Sequence, residues 1–341
     1  MEQMLKMKMP RKNIKTDDEI LEEMEPKTEV KKETKIGDLS GVGAATAEKL
    51  EASGYLDLMS IAMATPSELM EATGMGDSIA KRIIAQARAS LDMGFESGED
   101  LMKKREAVVR ISTGSHSFDQ LLGGGFESGG ITEIFSAYGS GKTQIGHALA
   151  VNTIKKFPDG YVVYLDTEST FRPERITQMA TAAGLDPQEV LRHIKVARAY
   201  NSDHQSLLAE KIEDLIKKEG LHVRLVVVDS LTAHFRAEFI GRGTLADRQQ
   251  KLNRHMHTLA KLADANNLCV YVTNQVMARP DTFFGDPTEA IGGHIVGHNS
   301  QTRIYLRKGK KGTRVVKLID SPYLEDGECT IEIATGGLRD V

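Results

Sequence analysis

The sequence predicts a mixed α/β protein in which a large domain with a mostly parallel central sheet follows a small all-α domain. From about residue 107 to residue 341, apolar runs of strand length alternate with helical patterns, which is typical of a largely parallel sheet. The segment 35–89 has a helical pattern with two glycine turns. The 341 residues are enough for one large and one small domain.

Composition divides the chain further. Residues 1–34 hold eight Lys/Arg and nine Asp/Glu residues and no aromatic one, which predicts a disordered leader. Residues 35–89 are the small helical domain, and residues 90–106, rich in small and polar residues, are expected to be a linker. The core then runs over residues 107–341.

The small domain contains an internal near-repeat. Leu39–Gly43 precedes a helical pattern over Ala44–Leu50, and Ala72–Gly76 precedes another over Asp77–Ile84. Each unit is an apolar turn with G-x-G, after which backbone amides at a helix N-terminus can face a phosphate. This pattern resembles a tandem helix-hairpin-helix DNA-binding module, although a helical bundle with ordinary glycine turns would explain it equally well.

Seven apolar runs of the core are expected to form strands, and helical patterns at Gln144–Phe157 and Ser206–Lys218 are expected between them. The expected strands are Gly130–Phe135, Tyr161–Leu165, Ile194–Ala197, Leu225–Val228, Cys269–Thr273, Arg303–Leu306 and Val315–Ile319.

Charge and cysteine content exclude several classes of protein. Two cysteines, Cys269 and Cys329, are too few for a disulfide framework or a cysteine zinc site, and they point to a reducing compartment. No apolar run is long enough for a signal peptide or a membrane span, so we expect a cytoplasmic protein with no membrane partner. The net charge of −4 means that any nucleic acid must be bound through local basic patches.

The strongest motif is Ser136–Thr143, which reads S-A-Y-G-S-G-K-T between an expected strand and an expected helix. This is the context of the phosphate-binding loop G-x-x-x-x-G-K-[ST], in which glycine amides surround the phosphates, lysine reaches the β- and γ-phosphates and threonine ligates Mg²⁺. We therefore expect ATP and Mg²⁺ as ligands. The candidate nucleotide-binding residues are Gly139, Ser140, Gly141, Lys142, Thr143 and Gln144.

Ser136 departs from this motif, because glycine is usual at its position. If the position needs a positive φ, serine costs about 1 kcal/mol relative to glycine. We then expect ATP affinity to be reduced up to about fivefold, and Ser136→Gly to bind ATP more tightly. With an ordinary negative φ, serine would cost nothing.

Two carboxylates complete the expected site. Asp229 ends the apolar run Leu225–Val228, where it can hold the metal ion with Thr143. Glu168 follows the strand at Tyr161–Leu165 and is the candidate to orient and deprotonate an attacking water. A single carboxylate at a strand end could merely cap a helix, but the ligand crevice of such a sheet lies at these ends.

Four further stretches carry a family resemblance. Asp166–Arg175, Gly241–Gly243, Asn274–Val276 and Ile291–His294 resemble the RecA/RadA recombinase family, and its archaeal RadA members most closely. The resemblance covers about residues 36–335. It implies a RecA-like P-loop ATPase core that assembles into filaments or rings on single- and double-stranded DNA, with a nucleoid-associated location.

The resemblance also implies roles in ATP hydrolysis. Glu168 is similar to the catalytic glutamate of the family, and Gln275 to the glutamine that senses the γ-phosphate and relays its presence to the DNA loops. With Lys142 these form the expected catalytic set. Arg175 resembles the arginine that stacks on the adenine, with Gln178 beside it at helical spacing.

Two further assignments concern neighbouring subunits. Asp320 and Pro322 resemble the cap that one subunit lays over the nucleotide of the next, which would place ATP at a subunit interface. Phe95 resembles the aromatic plug of an F-x-x-A motif that inserts into the next protomer. Here Gly98 replaces the alanine, which weakens the plug but keeps its main anchor.

Two segments are expected to contact DNA. Phe235–Gln249 combines arginines with glycines and can follow a phosphate backbone, and Val276–Gly293 is a long Gly/Pro-containing segment with aromatic residues that can wedge between bases. A surface salt bridge is the plain alternative for any one arginine. The candidate DNA-binding residues are Arg236, Arg242, Arg248, Arg279, Phe283, Gly292 and Gly293.

Three functions stay open at this point. The first is a recombinase that pairs single-stranded DNA with a homologous duplex. The second is a paralogue that binds ATP and DNA without strand exchange, which the departure at Ser136 mildly favours. The third is a hexameric helicase-type motor, which an unwinding assay would separate from the first. A DNA-binding module without enzymatic activity is disfavoured by the pair of Glu168 and Asp229.

Overall fold

The computed structural model describes residues 36–55, 57–91, 97–278 and 288–341. The predicted leader, Phe95, Arg279 and Phe283 lie outside these residues. The chain divides into two compact units between Ser97 and Gly98. Within the described residues, no helix has the length and apolar character needed to span a membrane.

The first unit is all-α, as the sequence predicts. Its helices bury leucine, isoleucine and alanine side chains against one another, and Ala80, Ile83, Ile84 and Ala87 form a single buried face at helical spacing. Its helices are α1 (Ala44–Ala52), α2 (Leu58–Met63), α3 (Pro66–Thr73) and α4 (Asp77–Ser90).

The two glycine turns lie where the near-repeat predicts them. Gly43 and Gly76 are the N-cap residues of α1 and α4, and neither cap has a side-chain hydrogen bond to the first turn. The first-turn amides therefore remain free of side-chain caps, which is the arrangement that a phosphate-binding helix end requires.

The second unit alternates helices and strands. Gly98–Glu106, which the sequence assigns to a linker, forms a helix with no buried residue. The helices of this unit are α5 (Gly98–Glu106), α6 (His116–Leu121), α7 (Lys142–Lys156), α8 (Pro173–Ala182), α9 (Pro187–Arg192), α10 (Ser202–Lys217), α11 (Ala233–Glu238), α12 (Leu245–Asn266) and α13 (Gly293–Asn299).

All seven expected strands are present, most of them one or more residues longer than predicted, and five strands were not predicted. The strands are β1 (Arg110–Ile111), β2 (Phe126–Glu127), β3 (Ile131–Ser136), β4 (Tyr161–Asp166), β5 (Ile194–Arg198), β6 (Val223–Asp229), β7 (Cys269–Ala278), β8 (Thr288–Ala290), β9 (Thr302–Lys308), β10 (Arg314–Asp320), β11 (Glu328–Ala334) and β12 (Gly337–Asp340).

Ten of the described strands form one sheet in the order β12-β11-β10-β9-β3-β7-β6-β4-β5, with β8 paired to β7. The six strands from β9 to β5 are parallel to their neighbours, whereas β10, β11 and β12 extend the sheet in antiparallel fashion. The predicted α/β fold with a mostly parallel sheet is therefore confirmed.

Helices cover both faces of the parallel region, which explains the continuous apolar runs of its strands. Along β6, Leu225 and Val227 belong to one apolar cluster, together with residues of α7. Val226 and Val228 belong to the other cluster, together with residues of α10 and α12. Burial on both faces fixes the register of each strand, because a slip of one residue would exchange the two sets.

This register aligns the polar residues that end the strands. Ser136 of β3 pairs with Gln275 of β7, and Asp166 of β4 pairs with Asp229 of β6. Since the strands are parallel, these residues meet at one edge of the sheet, where ligands bind in α/β proteins of this kind.

Candidate nucleotide site

The loop between β3 and α7 has the geometry of a phosphate-binding loop. Gly139 and Gly141 have φ values of 70° and 113°, in the left-handed region that favours glycine. A Cβ atom at Gly141 would also lie 2.3 Å from Ile333 Cδ1. The loop borders a cavity of about 400 Å³ whose lining includes Gly139, Gly141, Lys142, Thr143, Gln144, Glu168, Asp229 and Gln275.

Lys142 is the first residue of α7 and lies inside this cavity. Its Nζ donates to the carbonyl oxygen of Ser136 at 3.1 Å, to Ser136 Oγ at 2.9 Å and to the carbonyl oxygen of Ala137 at 3.4 Å. Burial lowers the pKa of Lys142, and the nearby charges of Asp229 and Glu168 oppose that shift. The ammonium group is thus held at the mouth of the loop, where phosphate oxygens would replace its carbonyl partners.

The prediction of backbone strain at Ser136 is wrong. Ser136 is the buried last residue of β3, and the non-glycine residues with positive φ in the described chain are Ser169, Asn267 and Lys311. The residue therefore has ordinary extended geometry. Its hydroxyl accepts from Lys142 and donates to the carbonyl oxygen of Ala137 at 3.1 Å, so that serine adds a partner for the lysine.

We consequently expect Ser136→Gly to bind ATP with equal or weaker affinity, and not more tightly. Loss of one hydrogen bond to a charged group, with a more flexible backbone, corresponds to a decrease of about fivefold. Calorimetric titration with ATP measures this change. Ser136→Ala is the matched control because it removes the hydroxyl without freeing the backbone, and tighter binding by the glycine variant would contradict the interpretation.

Asp229 ends β6 and accepts hydrogen bonds from four hydroxyl groups, although its side chain is almost fully buried. Its Oδ2 accepts from Thr143 Oγ1 at 2.7 Å, Tyr164 OH at 3.0 Å and Thr170 Oγ1 at 3.3 Å. Its Oδ1 accepts from Thr273 Oγ1 at 2.5 Å. Neutral donors orient the carboxylate without neutralising it, which leaves its charge available to a cation.

The sequence did not identify Tyr164, Thr170 and Thr273 as part of the site. Tyr164 and Thr273 are fully buried polar residues within apolar strands, and such residues need a partner. The presence of polar residues within apolar strands was the sequence pattern that could have identified Tyr164 and Thr273. Burial, reinforced by the charge of Asp229, raises the pKa of Tyr164 well above its ordinary value, so Tyr164 stays a donor.

Glu168 lies two residues beyond β4 and faces Gln275, whose Nε2 donates to Glu168 Oε1 at 2.8 Å. Asp166 shapes the turn that carries Glu168, because it accepts from the amides of Glu168, Thr170 and Phe171. Burial and the charge of Asp229 raise the pKa of Glu168, while the hydrogen bond from Gln275 and the charge of Lys142 oppose this. A carboxylate with a raised pKa is a suitable general base.

Arg175 on α8 lies beside the loop and is fixed at several points. Its Nε donates to Gln144 Oε1 at 2.7 Å and its Nη1 to Gln178 Oε1 at 3.1 Å. The carbonyl oxygens of Ala334 and Thr335, at the end of β11, accept from Nη2 and Nη1 at 2.6 and 2.5 Å. The guanidinium plane is therefore rigid, as a surface for stacking requires.

The other predicted residues lie elsewhere. Asp320 borders a second, smaller cavity with His294, His298 and Arg303, and neither Asp320 nor Pro322 lines the nucleotide cavity of its own chain. Residues 235–249, the first segment expected to contact DNA, are mostly helical: they comprise the end of α11, a 3₁₀ turn and the start of α12.

Some candidate DNA contacts lie at the edge of the site. Arg236 on α11 is exposed, and its Nη1 lies 3.5 Å from Gln275 Oε1. Arg248 is half-buried on α12, and Arg242 lies in the 3₁₀ turn before it. Gly292 and Gly293 precede and begin α13 with φ values of 95° and 56°.

Two family models match the chain in agreement with this geometry. The Rad51 model matches residues 104–341, and the model of a SAM-like helix-hairpin-helix tandem matches residues 34–89. The first match covers all but the first six residues of the second unit and the whole nucleotide site, while the second covers the four helices of the first unit except Ser90. The chain belongs to the Rad51 family, with a RecA-like core preceded by a tandem helix-hairpin-helix region.

Proposed function

We propose that this chain is a DNA-dependent ATPase and homologous recombinase of the archaeal RadA type. It forms filaments on single-stranded DNA and catalyses the pairing and strand exchange that repair double-strand breaks. The observation that carries the proposal is the convergence of the phosphate-binding loop, Asp229 and the pair of Glu168 and Gln275 on one cavity. A module that only binds DNA has no use for such a cavity.

ATP is the substrate that fits this cavity. The amides of the loop at Gly139–Thr143 and the Lys142 ammonium hold the phosphates, and the flat face of Arg175 supports the base. Thr143 Oγ1 and Asp229 Oδ2 are adjacent oxygen donors, the kind of ligand that Mg²⁺ prefers. When bound there, Mg²⁺ neutralises negative charge on the phosphates.

Hydrolysis depends on Glu168. Its carboxylate accepts a proton from the attacking water and, with a hydrogen bond from Gln275, is held at the edge of the cavity. Gln275 also faces Arg236, so the residue beside the catalytic glutamate lies next to a proposed DNA contact. This arrangement makes ATP hydrolysis responsive to DNA.

Filament formation involves two parts of the chain, the edge strand β5 of the sheet and the plug residue Phe95. Strand β5 is the last strand of the described sheet, and Val196 in this strand and Tyr200 just after it are 44% and 70% exposed. An unpaired strand edge with apolar side chains is suited to pairing with another chain. We propose that the segment around Phe95 of a neighbouring copy occupies this edge, and that Asp320 and Pro322 cap the nucleotide of the next subunit.

Phe95→Glu is expected to convert the protein to monomers. An aromatic anchor is worth about 2 kcal/mol or more, and a charge in its place would be buried in an apolar pocket. Light scattering measures the assembly state. Val196→Glu, which places a charge on the strand proposed to receive the plug, should have the same effect. Leu101→Glu serves as a control, because it changes an exposed apolar residue on α5 and not on β5. Filaments or rings of normal size in Phe95→Glu would refute the plug.

The test of the whole proposal is a D-loop assay with and without ATP. The recombinase is expected to pair single-stranded DNA with a homologous duplex when ATP is present, and to unwind no duplex in a helicase assay. A paralogue that binds ATP and DNA without strand exchange would form no D-loops with or without ATP. Because Ser136 has ordinary geometry, the departure that favoured this alternative no longer supports it.

A further inference from the structure

Asn274, the residue before Gln275, forms four hydrogen bonds inside the core, where its side chain has no exposed surface. Its Nδ2 donates to Glu133 Oε1 at 2.7 Å and to the carbonyl oxygen of Ile291 at 2.6 Å. Its Oδ1 accepts from Thr232 Oγ1 at 2.7 Å and from the amide of Gln275 at 2.9 Å. Both donor hydrogens and both acceptor positions of the amide are thus in use.

Two of these partners flank or belong to the segments proposed to contact DNA: Thr232 lies just before the first segment, and Ile291 lies near the end of the second. Thr232 is the N-cap residue of α11, which carries Arg236 and leads into residues 239–249. Ile291 immediately precedes Gly292 and Gly293, and its own amide donates to the carbonyl oxygen of Gln275 at 2.9 Å. One side chain therefore joins the start of the first segment and the end of the second to the part of β7 that bears Gln275.

The third partner of Asn274, Glu133, connects it to the strand that lies beside Asp320 of the proposed cap. Glu133 has no exposed surface, and its Oε2 accepts from Arg303 Nε at 2.8 Å. Arg303 on β9 lies opposite Asp320 in the β9–β10 register. The buried network therefore extends from the residue before Gln275 to Arg303, whose position on β9 pairs with that of Asp320 on β10.

A buried amide with all its hydrogen bonds made has one favourable orientation, because any rotation leaves polar groups without partners in a medium of low dielectric constant. The amide of Gln275 is held by Asn274 Oδ1, so a displacement of Gln275 must move Asn274 or break this bond. Movement of Asn274 in turn displaces Thr232 and Ile291. The network thus links displacements that the backbone alone would leave independent.

We propose that Asn274 is a positioning residue that couples occupancy of the nucleotide cavity to residues 233–249 through Thr232 and to residues 288–296 through Ile291. The coupling rests on the proposed function, in that it requires ATP to bind at the loop Gly139–Thr143. It goes beyond that function because it assigns each segment its own hydrogen bond to Asn274, so that a substitution can remove one bond and leave the other.

Hydrogen exchange measured by mass spectrometry tests this coupling without DNA, on the full chain with and without Mg²⁺ and the non-hydrolysable analogue AMP-PNP. In the wild-type protein, we expect the analogue to slow exchange in peptides from residues 233–249 and 288–296 by roughly threefold or more. Thr232→Val removes one hydroxyl at constant shape. It should abolish the response of residues 233–249 and leave that of residues 288–296.

Thr153→Val on α7 is the matched control. It removes another buried hydroxyl, which donates to the carbonyl oxygen of Leu149 at 2.7 Å, and it should keep both responses. The proposal is overturned if the wild-type protein shows no response, if Thr232→Val keeps both responses, or if either variant loses both together. The D-loop assay decides the proposed function separately. If the wild-type protein forms D-loops but Thr232→Val keeps the exchange response of residues 233–249, only the coupling is refuted. If Thr232→Val loses that response selectively but the wild-type protein forms no D-loops, only strand exchange is refuted.

Discussion

Lys142→Ala is expected to abolish the ATP-dependent filament formation and strand exchange proposed for this protein, while the protein stays folded. The Lys142 ammonium lies in the cavity, and its three acceptors belong to Ser136 and Ala137 of the same loop. Its removal leaves the packing of α7 unchanged, because that helix is held by apolar residues such as Ile145 and Leu149. The lost charge-assisted bonds to phosphate are worth about 1.5–3 kcal/mol each, so ATP turnover should fall by about a hundredfold or more.

Turnover with single-stranded DNA, filament length by electron microscopy and D-loop yield measure this effect. Thermal unfolding followed by circular dichroism shows whether the variant is folded. The matched control is Lys155→Ala, which removes an exposed lysine near the other end of the same helix and should retain normal activity. Normal strand exchange by a folded Lys142→Ala protein would contradict the assignment of the nucleotide site.

Glu168→Gln is expected to keep ATP affinity within a few-fold of the wild-type value but to slow hydrolysis by about a hundredfold or more, the usual contribution of a positioned base. The amide has the shape of the carboxylate and can still bond to Gln275, but it cannot accept a proton from water. The variant should therefore remain bound to DNA in the ATP state. Single-turnover hydrolysis and dissociation from labelled DNA measure the two effects.

Glu174→Gln on α8 is the control for this substitution, because it removes an exposed glutamate six residues further along the chain. If Glu168→Gln turns over ATP at the wild-type rate, Glu168 only caps the turn after β4. In that case the base has to be sought among the other polar groups that line the cavity.

The pH dependence of ATP turnover provides a second test of Glu168 as the general base. Burial raises the pKa of Glu168 above its ordinary value, and only the deprotonated form accepts a proton. Turnover in the wild-type protein should therefore fall with decreasing pH at a pKa higher than the value of about 4.3 that glutamate has in peptides. The residual turnover of Glu168→Gln should lack this decrease. A pH–rate profile at saturating ATP measures both.

The sequence alone identified the features that are local in the chain. The phosphate-binding loop is recognisable because strand, loop and helix follow one another without interruption at Ile131–Lys156. Asp229 and Glu168 could be predicted because each follows an apolar run, and strand ends of a parallel sheet share one edge. The helix-hairpin-helix repeat was readable for the same reason, since both glycine turns are adjacent to their helices.

Other features escaped sequence reasoning because their local pattern is weak. The helix Gly98–Glu106 buries no residue and so lacks an apolar face to recognise. The strands β11 and β12 lie at the antiparallel edge of the sheet, where polar residues such as Glu328 and Glu332 interrupt the apolar pattern. The strain predicted for Ser136 assumed a backbone angle that a motif cannot reveal, since φ depends on where β3 ends.

By itself, the sequence determined the α/β class, the position of the loop Gly139–Thr143 and the two acidic residues beside it. Only the tertiary structure decided which side chains surround them: the four hydroxyls on Asp229, the bond from Gln275 to Glu168 and the buried network of Asn274. Most of these contacts join residues that are distant in sequence and meet across neighbouring strands. Strand order and register bring them together, and these result from burying both faces of the sheet at once, which no single segment of the chain specifies.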